Sequence, residues 1–136
     1  MNLEITLAQS VAQAIKKLYG ADVDTEKIQL QKTRKEFEGD FTFVVFPFLA
    51  LSKKRAEETA QEIGEELKNS LPLISSFNVV KGFLNLAIAP SYWVELLKHI
   101  DAAEKWGTTP VTENSPLVMV EYSSPNTNKP LHLGHI

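Results

Sequence analysis

Two histidines three residues apart, His132 and His135, flank Gly134 near the end of the chain. They follow a carboxylate, Glu121, and a polar run over residues 123–130 that carries Ser124, Asn126 and Lys129. Imidazoles supply ring N–H donors, while carboxylate, hydroxyl and amide oxygens accept from a cationic substrate. Gly134 has no Cβ, so a flat ligand can approach the backbone closely there. Glu121, His132 and His135 could also hold a metal ion as a two-imidazole, one-carboxylate set. Nothing else in the chain supplies a pattern that would orient or complete such a ligand set, so no protein metal site is expected.

These groups need a rigid element to carry them. Leu117, Val118, Met119 and Val120 form a continuous apolar run, the pattern of a strand buried on both faces of a parallel sheet. Pro125 and Pro130 keep the following loop out of helix and ladder. In an open α/β sheet, ligands lie beyond the carboxyl ends of the strands, which is where this loop would fall.

The tetrad His132-Leu133-Gly134-His135 resembles the HIGH signature of class I aminoacyl-tRNA synthetases. The longer run EYSSPNTNKPLHLGH, residues 121–135, is similar to the form that signature takes in arginyl-tRNA synthetases. The resemblance implies a ligase that activates L-arginine with ATP, accompanied by Mg²⁺, and transfers it to tRNA(Arg). Catalysis of that kind is mostly positioning plus stabilisation of charge on phosphoryl oxygens. His132, Gly134 and His135 would then be the catalytic and ATP-binding residues, with Lys129 on the phosphate side. Glu121, Ser124 and Asn126 would line the arginine pocket. The family's second signature, a Lys-Met-Ser-Lys loop, does not occur in these 136 residues. The chain is therefore expected to be the front end of a longer enzyme and inactive alone.

Composition sets wider bounds. Fourteen Lys and Arg against 17 Asp and Glu give a net charge of −3, so any nucleic-acid contact must be a local patch. The absence of cysteine removes disulfides and thiolate metal sites. No leader pattern or membrane-length apolar run is visible, so a cytoplasmic protein without membrane contact is expected, and a monomer.

Upstream of the histidines the periodicities predict a small α+β domain with three helices and about four mainly antiparallel strands. Leu3, Leu7, Val11, Ile15 and Leu18 mark the first helix, with Asn2 as its cap and Gly20 as its stop. Ala56, Ala60, Ile63 and Leu67 mark a second, opened by residues 53–55 and capped by Ser52. Trp93, Leu96, Leu97 and Ile100 mark a third, capped by Ser91 and ended by Gly107, with His99 a partly exposed helix residue. Strands are expected over 28–31 and 41–46. The five phenylalanines between positions 37 and 48 read as core, although the neighbouring Lys32, Arg34 and Lys35 would also suit base-stacking platforms.

Residues 77–80 and 83–88 flank Lys81-Gly82, a two-residue turn of the hairpin kind. Alternation buries Leu84, Leu86 and Ile88 and turns Phe83, Asn85 and Ala87 to the other face. An exposed aromatic beside an exposed amide and Lys81 would suit stacking and edge recognition of an unpaired base. The tract Gly82-Phe83-Leu84-Asn85 is similar to one in the extra N-terminal domain of arginyl-tRNA synthetases, which implies contact with the D-loop at the tRNA elbow. The expected organisation is thus a tRNA-binding domain over 1–107, a linker over 108–116 rich in proline and polar residues, and over 117–136 the first strand and signature loop of a Rossmann-like catalytic domain. Two other readings share these features: a different HxGH nucleotidyltransferase, and a non-catalytic RNA-binding module.

Overall fold

In the computed structural model, residues 3–120, 128, 130, 132 and 133 are described. The three- and four-residue apolar spacing at the start forms helix α1 (Leu3–Tyr19), which buries Leu7, Val11, Ala14 and Ile15. Gly20 ends it with φ of +71°, and its N–H donates to the Lys16 carbonyl at 2.8 Å. Leu18 stays exposed, and the proposed cap Asn2 lies outside the described residues.

A four-stranded antiparallel sheet follows, built from β1 (Leu30–Lys32), β2 (Phe41–Val44), β3 (Ile74–Val80) and β4 (Phe83–Ile88) in the order β1-β2-β4-β3. β4 is therefore flanked on both sides. The β3–β4 connection is the expected two-residue turn, with φ of +50° at Lys81 and +80° at Gly82. Positive φ at both central residues matches the strand twist, and at Gly82 a Cβ would also meet that of Ala56 at 2.6 Å.

Helix α3 (Ala56–Ser70) lies against one face of the sheet and buries Thr59, Ala60, Ile63, Gly64 and Leu67. Gly64 allows the close approach: a Cβ there would stand 2.5 Å from the Phe77 ring and 2.9 Å from Leu84. Between this layer and the sheet lie Phe43, Leu84 and Leu86, all fully buried, with Ile88 nearly so. Phe43 and Phe48 meet at 5.5 Å between ring centroids. The core reading of the phenylalanines therefore holds for Phe43 and Phe48 and fails for Phe37 and Phe46, which are exposed.

Several boundaries differ from the sequence expectation. Ser52 ends a short helix, α2 (Leu49–Ser52), instead of capping α3. Lys53 turns left-handed at φ of +55°, so α3 starts only after Arg55, while the Ser52 hydroxyl bonds Thr59 Oγ1 at 2.7 Å. The last helix, α4 (Pro90–Ala102), is capped by Ala89 with no side-chain bond; it already begins at Pro90, whose fixed φ suits the first helical position, so Ser91 lies inside the first turn and does not cap it. It stops well before Gly107 and buries none of its residues. His99 is exposed there, with Nδ1 2.7 Å from the Glu95 carbonyl.

The chain divides into two compact units, Met1–Ala103 and Glu104–Ile136. In the second, the Thr112 N–H donates to the Ser115 hydroxyl at 2.8 Å in a local turn. Leu117, Val118, Met119 and Val120 are exposed and make no strand pairing. A strand buried on both faces needs neighbours on both edges, and no described residue of this unit forms a strand that could supply them. No helix among the described residues is long and apolar enough to cross a membrane.

Candidate nucleic-acid interface

The sheet face turned away from α1 and α3 is the chemically richer one. Its residues follow the register: Gln31, Thr42, Asn85 and Asn78 stand side by side across the four strands, and Val44, Phe83 and Val80 form the next row. Over this face the β1–β2 connection folds back as a loop tied down at several points. Thr33 N–H donates to the Asp40 carbonyl at 3.1 Å, and Asp40 N–H donates to the Leu86 carbonyl at 2.8 Å. The Asp40 carboxylate accepts from the Ile88 N–H at 2.7 Å.

These ties hold Arg34 and Phe37 beside the Lys81–Gly82 turn. The result is a concavity of about 250 Å³ bordered by Arg34, Phe37, Thr42, Lys81, Phe83 and Asn85, with Gln31, Lys32 and Val80 completing its wall. Lys32, Arg34 and Lys81 place three cationic groups around it, in a chain that is acidic overall. Phe83 is about one-third exposed, and its ring meets Phe46 in an edge contact at 5.3 Å. An aromatic face, flanking cations and a polar amide floor are the groups that hold an unpaired base and its phosphates.

Lys81, Phe83 and Asn85 are thus brought together as the sequence predicted, but Asn85 is not exposed. Only 2% of its surface is accessible. The alternation places it correctly on the outer face. What covers it is the loop, since a Cβ on Gly39 would lie 3.2 Å from the Asn85 Cβ. Its amide is also engaged, accepting from the Thr42 hydroxyl at 2.6 Å and donating to the Asn78 Oδ1 at 2.9 Å. Sequence reasoning singled out Arg34 only as part of a basic cluster and set Phe37 among core aromatics, and it gave Gln31 and Thr42 no role. The register pairs Gln31 with Thr42 on this face, and the fold-back of the loop over it had no local signal in the sequence.

Of the residues expected to meet ATP and arginine, His132 is described and exposed. Glu121, Ser124, Asn126, Lys129, Gly134 and His135 lie outside the described residues. Among the described residues no group of His, Asp and Glu side chains could hold a metal ion.

A second polar cluster lies on the helical side. Lys17 donates to both carboxylate oxygens of Glu66 at 2.7 and 2.9 Å. Glu62 accepts from the Tyr19 hydroxyl at 2.9 Å and from Lys54. The Lys54 ammonium holds the Glu62 carboxyl below its ordinary range, and burial followed by the Glu62 hydrogen bond raises the Tyr19 phenol. Paired charges of this kind tie helices together and leave no free group for chemistry.

Comparison with known proteins agrees with this architecture. Residues 6–88 match the family model described as the arginyl tRNA synthetase N terminal domain. The arginine–tRNA ligase of Phocaeicola vulgatus is 63% identical over the whole of this chain, which corresponds to 23% of that protein. That of Porphyromonas gingivalis is 57% identical over the whole chain and 23% of its own length. Among solved structures, Thermus thermophilus arginyl-tRNA synthetase matches 98% of this chain and 21% of its own, with a TM-score of 0.58 and 27% identity. The chain spans about a quarter of the length of the curated relatives it matches. With more than half of its residues inside the matched model, this chain belongs to the arginyl-tRNA synthetase N-terminal domain family.

Proposed function

We propose that this chain is the tRNA-recognising front part of an arginine–tRNA ligase, and that the concavity over β4 takes an unpaired base from the tRNA elbow. The observation that carries this reading is the meeting of Phe83, Phe37, Arg34 and Lys81 around one concavity on the sheet face turned away from α1 and α3. An aromatic side chain provides a stacking platform for any base, and cations at the rim attract the backbone on either side. The names of the relatives support the substrate: they are arginine–tRNA ligases over matches that include the whole chain.

In this reading residues 1–107 recognise tRNA, 108–116 link, and 117–136 begin the catalytic domain. The whole protein joins L-arginine to tRNA(Arg) using ATP with Mg²⁺. His132, Gly134 and His135 serve the ATP phosphates with Lys129 beside them, and Glu121, Ser124 and Asn126 serve arginine. The chain by itself, about a quarter of its relatives' length, lacks activity.

Fluorescence anisotropy with labelled tRNA(Arg) tests the recognition surface. Phe83→Ala is expected to weaken binding by about 1–3 kcal/mol, the scale of one lost base–aromatic stack, with little change in melting temperature. Unchanged binding by this variant would remove the concavity from the tRNA interface.

A further inference from the structure

Among the described residues, the non-glycine positions that hold a left-handed backbone are both lysines: Lys53 with φ of +55° and Lys81 with φ of +50°. Glycine takes that conformation freely and asparagine at little cost, whereas a long side chain there is strained. A strained position that carries a cation points to a use for the charge. Neither ammonium is consumed within the fold. Lys16, Lys17, Lys54 and Lys98 pair with carboxylates, while Lys53 and Lys81 are exposed and form no ion pair among the described residues.

The two lysines lie on either side of one close contact. A Cβ on Gly82 would stand 2.6 Å from that of Ala56, so the end of the β3–β4 hairpin abuts the start of α3. Consecutive Cα atoms are about 3.8 Å apart, which puts the Cα atoms of Arg55 and Lys81 at most about 13 Å from each other. Arg55 is also exposed, and makes no ion pair among the described residues and no side-chain bond to the helix it precedes. The segment that carries Lys53 and Arg55 is held in place. The Lys53 N–H donates to the Leu49 carbonyl at 2.9 Å, the Lys54 N–H to the Ser52 hydroxyl at 3.3 Å, and the Thr59 N–H to the Arg55 carbonyl at 2.9 Å. Glu57 and Glu58, in the first turn of α3, suit its dipole and bound the cations on that side. A strip of positive charge thus leaves the sheet face at Lys81, passes the hairpin end and reaches the α2–α3 junction.

We infer that Lys53 and Arg55 form a second site, for phosphodiester groups, that takes the tRNA backbone where it leaves the concavity and turns around the hairpin end. This rests on the proposed reading of the concavity as a base site. The test is anisotropy of this chain with a tRNA(Arg) transcript at several salt concentrations. Lys53→Asn, which tolerates the left-handed backbone, and Arg55→Ala are each expected to lower the slope of log affinity against log salt by about 0.7–1, and together by about twice that. Lys68→Gln is the control, since it removes one exposed cation thirteen residues further along α3, about 20 Å away. Its slope is expected to match wild type. Ethylation interference on the transcript should place the phosphates lost with Lys53 and Arg55 next to those lost in Lys81→Asn. Melting curves confirm that each variant folds, and the two separate positions keep the test available if one does not. A double variant with the wild-type slope overturns the inference, and so does a Lys68→Gln slope that falls as far as that of Arg55→Ala. Phe83→Ala separates this outcome from failure of the base site. If it weakens binding while the Lys53 and Arg55 variants keep the wild-type slope, the second site alone falls; if it binds as tightly as wild type, the base-site reading falls and the continuous path with it.

Discussion

The rings of Phe46 and Phe83 meet edge to face, with centroids 5.3 Å apart and planes at 78°. Phe46 lies past the end of β2, in the turn Phe46–Phe48, and is nearly half exposed. Phe83 opens β4 directly after the Lys81–Gly82 turn. One ring thus braces the other while leaving about a third of Phe83 accessible. This explains how an aromatic can stay on an outer face without collapsing onto its own strand.

The brace should be measurable as coupling. Phe46→Ala is expected to weaken tRNA(Arg) binding less than Phe83→Ala does, because it removes the support and keeps the platform. The double variant should fall short of the sum by about 0.5–1.5 kcal/mol, the usual size of a contact between aromatic pairs. Strict additivity in an anisotropy titration would mean that the two rings act independently in binding.

The opposite face of β4 should respond in stability and not in recognition. Leu86 is fully buried, so Leu86→Ala leaves a cavity and is expected to cost about 2–5 kcal/mol. Gly64→Ala adds a methyl where the Phe77 ring already stands 2.5 Å away, and overpacking of that kind costs about 1–3 kcal/mol. Both should appear as lower denaturant midpoints. A Gly64→Ala variant as stable as wild type would show that Phe77, which is only partly buried, swings aside without loss.

Much of this arrangement could be read from the residues in order. The hairpin was legible because Lys81-Gly82 sits between two alternating runs, and the inward set Leu84, Leu86 and Ile88 followed from period two. The burial of Asn85 was not, since alternation assigns a face and cannot say that residues 33–40 fold over it. Ser52 misled because a serine before a helical pattern has the chemistry of a cap, while the left-handed turn at Lys53 moved the helix start beyond its reach. The stripe on α4 carried the helix but not a burial site, since Trp93 and Leu97 remain exposed and none of its residues is buried. The signature loop offered dense motif chemistry, yet of its expected site residues only His132 is among the described ones.

Glu62 gives the fold a pH dependence of known sign. Its carboxyl is held low, first by the Lys54 hydrogen bond, so its contribution is fully present above the ordinary carboxylate value of 4.5 and is lost as pH falls through the lower folded value. Glu62 keeps about a third of its side chain in solvent, so screening limits the effect to under about 1 kcal/mol. At the alkaline end the raised Tyr19 phenol acts in the other direction: its contribution is complete below 10.0 and fades above it. Glu62→Gln is expected to lower the melting temperature by a few degrees at neutral pH and to flatten its decline in acid. Parallel melting-temperature profiles for the variant and wild type between pH 3 and 7 would assign the acid sensitivity to other carboxylates.

The cationic rim should act on all tRNA sequences alike, which separates it from the stacking platform. Arg34 and Lys81 border the concavity as exposed charges, and a charge that neutralises a phosphate releases about one condensed counterion when RNA binds. Arg34→Ala is therefore expected to weaken binding and to reduce the slope of log affinity against log salt by about 1, with no change in preference among loop bases. Lys81 needs a different substitution, because it holds φ of +50° in the turn and most side chains are strained there. Lys81→Asn removes the charge and tolerates that backbone, so it should repeat the Arg34 result without loosening the hairpin. Titrations at several salt concentrations on both variants decide the point. If Arg34→Ala leaves the slope unchanged and alters base preference, the guanidinium contacts a base edge, and its assignment to a steering rim would have to be withdrawn.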